Sequence, residues 1–125
     1  MSHVSAEATS GQQLQGITFT SFVNSRTGAQ RLAAWRADFP PHTAGEPHTM
    51  SEDEVLHVLE GTLDVEVADC RFVAGEGDAI LVPAGARFVI GNGTDDAASA
   101  WVVTLVGMTA TMERDGRRFV PPWAQ

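Results

Sequence analysis

Between Gly61 and Asp69 the chain reads Leu63-Asp64-Val65-Glu66-Val67, apolar and acidic in strict alternation, set between a Gly61-Thr62 turn and an Ala68-Asp69 turn. A period of two sends alternate side chains to opposite faces, so this stretch is a strand with one face buried. The same grammar runs along the chain. Apolar runs at 16–23, 30–39, 54–59, 70–74, 79–82, 86–90, 98–106, 109–113 and 117–120 are all short, and Gly, Pro, Asp and Asn clusters separate them. No segment holds a long helical period with caps. About ten short strands with such turns predict an all-β sandwich or barrel. Two sheets packed face to face leave room for a cavity between them.

Residues 1–15 are small and polar and are expected to be loosely ordered, which leaves 16–125 as one domain with a C-terminal tail. Trp123 follows Pro121-Pro122 in that tail. It is too large an apolar group to leave in water, so it is expected to pack on the barrel or on a second subunit.

Charge and missing residue types exclude several functions. The net charge is −8, and all eight basic residues are Arg. Nucleic acids and anionic membranes need a basic patch, so neither is an expected partner. Without Lys there is no Schiff-base chemistry, and without Tyr no phenol acid. The lone Cys70 forms no internal disulfide, and the first residues lack a signal-peptide pattern, so a cytoplasmic location is expected. Asn92-Gly93-Thr94 matches a glycosylation sequon, which is empty in that compartment.

The chemistry concentrates in FPPHTAGEPHTMSEDEVLHVLEG, residues 39–61. Its histidines His42, His48 and His57, with Met50 and the acids Glu52, Asp53 and Glu54, are the residue types from which a metal or acid–base site is built. His57 lies three residues beyond Glu54 and falls on the opposite strand face. No G-x-S-x-G elbow is present, and Gly91-x-Gly93 opens no helix, so nucleophile-elbow hydrolysis and dinucleotide binding are not expected.

Two ordered motifs resemble those of the cupin superfamily. In the first, His48-Thr49-Met50 is followed by Glu54 after three residues and Gly61 after six; in the second, Gly77, Pro83, Gly85 and Asn92 fall on their places. The resemblance covers roughly residues 30–107. It implies a double-stranded β-helix, or jelly-roll barrel, with His48 and Glu54 inside it. It also marks departures: the opening Gly position is His42, the second His is Met50, and the His of the second motif is Phe88.

Of the usual three-His, one-Glu metal set, only His48 and Glu54 remain. Function is therefore expected from His48 and Glu54 as a catalytic acid–base pair in an isomerase, cyclase or lyase. Met50, Phe88, His42 and Trp35 are the expected substrate-binding residues. One alternative is a dioxygenase-like cupin in which His48 and Glu54 ligate Zn, Mn, Fe or Ni; the other is a non-catalytic binding module. No cofactor is the first expectation. The expected partners are a small organic ligand and, as for many cupins, a second copy in a homodimer, for which the apolar tail offers a contact.

Overall fold

The computed structural model describes residues 3–125. Twelve strands are present: β1 (Gly11–Leu14), β2 (Ile17–Val23), β3 (Leu32–Phe39), β4 (His48–Met50), β5 (Glu54–Glu60), β6 (Leu63–Val67), β7 (Cys70–Ala74), β8 (Ala79–Val82), β9 (Phe88–Gly91), β10 (Ala98–Leu105), β11 (Ala110–Met112) and β12 (Arg118–Phe119). They form two antiparallel sheets in the orders β1-β2-β3-β10-β5-β8 and β12-β11-β4-β9-β6-β7. From β3 to β11 the chain passes from one sheet to the other at every connection except the β6–β7 hairpin, so successive strands wind around a shared interior.

The alternation that predicts the strands also fills that interior. Leu63 and Val65 of β6 are buried while Asp64 faces out. Leu56 and Val58 of β5, and Ala98, Ala100 and Val102 of β10, complete the core from the other sheet. His57 falls on the outer face, as its parity requires. Each fully buried aliphatic side chain contributes roughly 1.5–3 kcal/mol by leaving water.

Two elements depart from the sequence expectation. Residues 1–15 are not uniformly loose, because Gly11–Leu14 pairs with Ile17–Thr20 as an edge strand. Its side chains are mostly exposed, so the ladder, not an apolar face, holds it. Strand β4 is only three residues long, yet it pairs with both β11 and β9.

Gly61 has φ +72, and a Cβ there would meet the Ala97 carbonyl oxygen at 2.6 Å, so only glycine makes this turn into β6. Gly45 is required by approach: a Cβ on it would collide with the Ile90 carbonyl. The loop before β4 therefore lies against β9.

The tail packs on its own barrel. Trp123 is buried and stacks on Phe19 with centroids 4.0 Å apart, and Phe119 tilts against it at 5.8 Å. Gln125 Nε2 donates to the carbonyls of Met108 and Pro121. Stacking within the chain uses the apolar surface expected to serve a subunit contact.

Candidate functional site

One cavity of about 110 Å³ opens between the sheets, lined by Trp35 on β3, Glu46 before β4, His48 and Met50 on β4, Glu54 and Leu56 on β5, and Phe88 on β9, among others. The lining follows from strand parity. Glu46, His48 and Met50 are spaced by two along an extended chain, and Glu54 and Leu56 likewise. Phe88 is the direct cross-strand partner of His48, and their rings tilt at 55° with centroids 5.3 Å apart.

Five of the six residues expected at the site therefore share one cavity. The sixth does not. His42 lies outside it, exposed, with its Nε2 2.6 Å from Asp95 Oδ1. Its backbone takes φ 58, the left-handed conformation that explains a glycine preference at this position. His42, expected among the substrate-binding residues, thus sits on a left-handed turn against Asp95 and outside the cavity lining.

His48 and Glu54 line the same space without a hydrogen bond to each other, so each is set by its own surroundings. His48 Nδ1 lies 2.8 Å from the Glu46 carbonyl oxygen. A carbonyl only accepts, so Nδ1 carries the proton and neutral His48 keeps its lone pair on Nε2. Burial lowers the His48 pKa below its ordinary 6.5, opposed by the Glu46 carbonyl bond and the Glu46 carboxylate charge. The apolar wall, not a neighbouring carboxylate, dominates this imidazole.

Glu54 is buried, and its Oε2 has no hydrogen-bond partner. Burial alone pushes its carboxyl up to about 8. At neutral pH the cavity thus holds a neutral imidazole and a protonated carboxyl, a base and an acid whose environments push them apart.

Glu46 belongs to no motif and was not expected at the site. Its Oε1 accepts from Arg114 Nη1 at 3.2 Å, and its Oε2 is buried without a partner. The one sequence signal for it is its spacing of two before His48, which places both on one face of an extended segment.

Other charged and aromatic side chains of the barrel lie away from this space. Arg87 bonds Glu113 and Glu66, and Arg36 bonds Asp38. Trp101 packs against Phe22 away from the cavity. Cys70 is exposed.

The donor set does not fit a divalent metal. Glu46, His48 and Glu54 line one cavity, but among the described residues no group of three or more His, Cys, Asp or Glu side chains is placed to hold a metal ion. Met50 and Phe88 occupy the remaining ligand positions; a thioether suits soft ions, and a phenyl ring ligates nothing. No helix of the described residues is long and apolar enough to cross a membrane.

A family model described as Cupin domain matches residues 35–105, more than half of the chain. Solved structures share the architecture. The polyketide cyclase RemF from Streptomyces resistomycificus superposes with a TM-score of 0.76 at 20% identity, covering 84% of this chain and 79% of that one. KdgF from Halomonas sp. gives 0.71 at 19%, covering 83% and 93%. A sugar phosphate isomerase of the cupin superfamily from Silicibacter pomeroyi gives 0.70 at 19%, covering 89% and 81%. At these identities the likeness is one of fold. No curated protein sequence matches the chain.

Proposed function

The chain belongs to the cupin family, and on that premise we propose that it is a small-molecule enzyme that moves protons without a metal. It is an isomerase, cyclase or lyase acting on a carbonyl compound, with His48 as base and Glu54 as acid. The observation that carries this reading is a half-buried imidazole and a buried carboxyl in one apolar cavity, the first held neutral as a base and the second held protonated as an acid. Two structural neighbours, a cyclase and an isomerase, lend it support by analogy.

In the proposed step His48 Nε2 removes a proton from the carbon beside the carbonyl. Glu54 gives its proton to the carbonyl oxygen, so an enol forms with no net charge change in the cavity. Returning a proton to another carbon gives an isomer; attack of the enol carbon on a second carbonyl gives a ring. Metal-dependent oxygenation is the weaker reading, since Met50 and Phe88 stand at two of the four ligand positions and no group of three donors among the described residues is placed to hold a metal ion. A homodimer belongs to the same proposal, formed through the outer sheet face where Val55, Leu59 and Leu81 are exposed.

The test is solvent deuterium exchange into cyclic and aromatic ketones by protein dialysed against chelator. The parent should exchange protons beside the carbonyl above background. His48→Ala and Glu54→Gln should each slow exchange by roughly 10²–10⁴-fold while the fold persists. Its pH profile should fall on the alkaline side near 8 as Glu54 ionises, and on the acid side below 6.5 as His48 gains a proton. Exchange that is absent, or unchanged in both variants, returns the chain to a non-catalytic binding module.

A further inference from the structure

The substrate class follows from the same cavity and rests on the reading just proposed. Among the described residues three buried side-chain atoms lack a hydrogen-bond partner: Glu46 Oε2, Glu54 Oε2 and Ser99 Oγ. Two of the three belong to residues that line this one cavity. Buried polar atoms are almost always paired, so two orphaned carboxyl oxygens on residues lining one space mark places where a ligand supplies the partner. The partners they ask for differ. Glu46 is ion-paired through its other oxygen, so Oε2 is an acceptor only and needs a donor.

The rest of the lining sets what else the ligand must be. Trp35, Phe39, Phe88, Phe119 and Trp123 contribute rings, and three methionines, Met50, Met108 and Met112, contribute polarizable thioethers. Flat apolar ligands meet such walls well. No arginine lines the cavity, and the chain has no lysine. Arg114 reaches only Glu46 Oε1, and Arg87 is held between Glu113 and Glu66. A phosphate or carboxylate brought here would be buried beside two carboxyl groups with no cation to pair it.

We propose that the cavity takes a neutral, flat, largely apolar aromatic ketone carrying a hydroxyl group, with Glu46 Oε2 accepting a hydrogen bond from that hydroxyl, and that it excludes phosphorylated and carboxylated sugars. Glu46 is then a specificity-determining residue as well as the carbonyl that fixes the His48 tautomer. Since the latter role uses its backbone, side-chain substitution separates the two.

The experiment reads binding without turnover. The purified chain is titrated with 6-hydroxy-1-tetralone, 6-methoxy-1-tetralone, glucose 6-phosphate and galacturonate, followed by tryptophan fluorescence and thermal shift; Trp35 and Trp123 line the cavity and report on it. The hydroxy ketone should bind about tenfold or more tightly than the methoxy ketone, and the two anions should not bind. Glu46→Leu should bring the two ketones to equal affinity, while Glu46→Gln, which keeps an acceptor oxygen, should retain part of the preference.

An anion that binds as well as the ketones, a parent that does not distinguish hydroxy from methoxy, or a parent that binds neither ketone overturns the proposal. These comparisons need only the parent, so they stand even if Glu46→Leu does not fold. Hydroxyl-selective binding without deuterium exchange keeps this inference and sinks the acid–base reading. Exchange on ketones without hydroxyl selectivity does the reverse.

Discussion

Asn92 and Glu54 are both almost wholly buried, and their surroundings treat them in opposite ways. Asn92 Nδ2 donates to the carbonyls of Phe39, Pro40 and Asp96, and its Oδ1 accepts from the Thr94 N–H and hydroxyl. Every polar valence of that side chain is engaged in tying the end of β3 to the loop over residues 92–96. Glu54, on the neighbouring sheet, has an orphaned oxygen and a carboxyl kept protonated by burial alone. A saturated buried group holds structure; an unsaturated one costs stability and is retained where it meets a ligand.

The comparison breaks most visibly in the pH dependence of stability. Glu54 has its folded pKa raised from 4.5 to about 8. Stability is therefore whole below 4.5, falls as the unfolded chain ionises first, and reaches its full deficit above about 8. At about 1.4 kcal/mol for each pH unit that deficit is about 5 kcal/mol. Glu54→Gln should remove it, so the variant gains on the parent between about pH 4.5 and about pH 8 and holds that gain above it. His48 acts in the other direction: its lowered pKa costs stability as pH falls below 6.5, equally in parent and variant, and cancels in the difference. Denaturant unfolding of both proteins across this range checks it. A constant difference would mean Glu54 is not held protonated.

Asn92→Ala is the counterpart and should destabilise at every pH. Five hydrogen bonds are lost and several buried carbonyls are orphaned, worth about 3–4 kcal/mol together. For a chain of this length the melting temperature should fall by about 10–15 °C. Smaller than about 3 °C would show that water replaces the side chain and that saturation is incidental. The sequon reading of Asn92 has no place in this geometry, because its amide is spent inside.

A third variant converts the unsaturated site into a saturated one. Met50, Phe88, His48 and Glu54 line one cavity, so Met50→His with Phe88→His assembles the three-His, one-Glu cupin set. The double variant should take up about one equivalent of Zn, Mn, Fe or Ni and gain about 2.7 kcal/mol at a hundredfold excess over Kd. Metal content and melting are measured beside the parent. A parent that already carries stoichiometric metal overturns the metal-free reading; a folded double variant that stays empty shows that the four positions do not converge.

The legible parts of this chain are those whose residues have one physical reason to be where they are. Leu63 to Val67 has a strict period, Gly61 a forced turn, and Asn92 with Gly85 and Pro83 a fixed spacing; fold and cavity register follow from them. Strand β1 is silent because Gly11–Leu14 buries little and is held by backbone bonds, which any residues supply. Glu46 is silent because it belongs to no motif, and a Glu between Gly45 and Pro47 reads as solvated loop. The direction of the His48 pKa is silent for another reason. It depends on how dry the wall is compared with how near Glu54 stands, and neither distance nor dryness is written in spacing.

The smallest expected effect belongs to His42, where sequence position and three-dimensional place part company. Its left-handed backbone costs a non-glycine residue about 1 kcal/mol, which glycine would relieve. Glycine also frees the unfolded chain by a similar amount, and the exposed Asp95 contact it removes contributes at most about 1 kcal/mol. One gain stands against two losses, so His42→Gly should lie between neutral and about 1 kcal/mol less stable than the parent, while His42→Val, β-branched at positive φ, should cost more than His42→Gly does. Neither change touches the cavity lining, so ketone affinity and deuterium exchange should match the parent in both. A tenfold loss of exchange in His42→Gly, with melting unchanged, would draw His42 back into the site through a movement of the loop over residues 40–47, and the separation between that surface turn and the cavity would no longer hold.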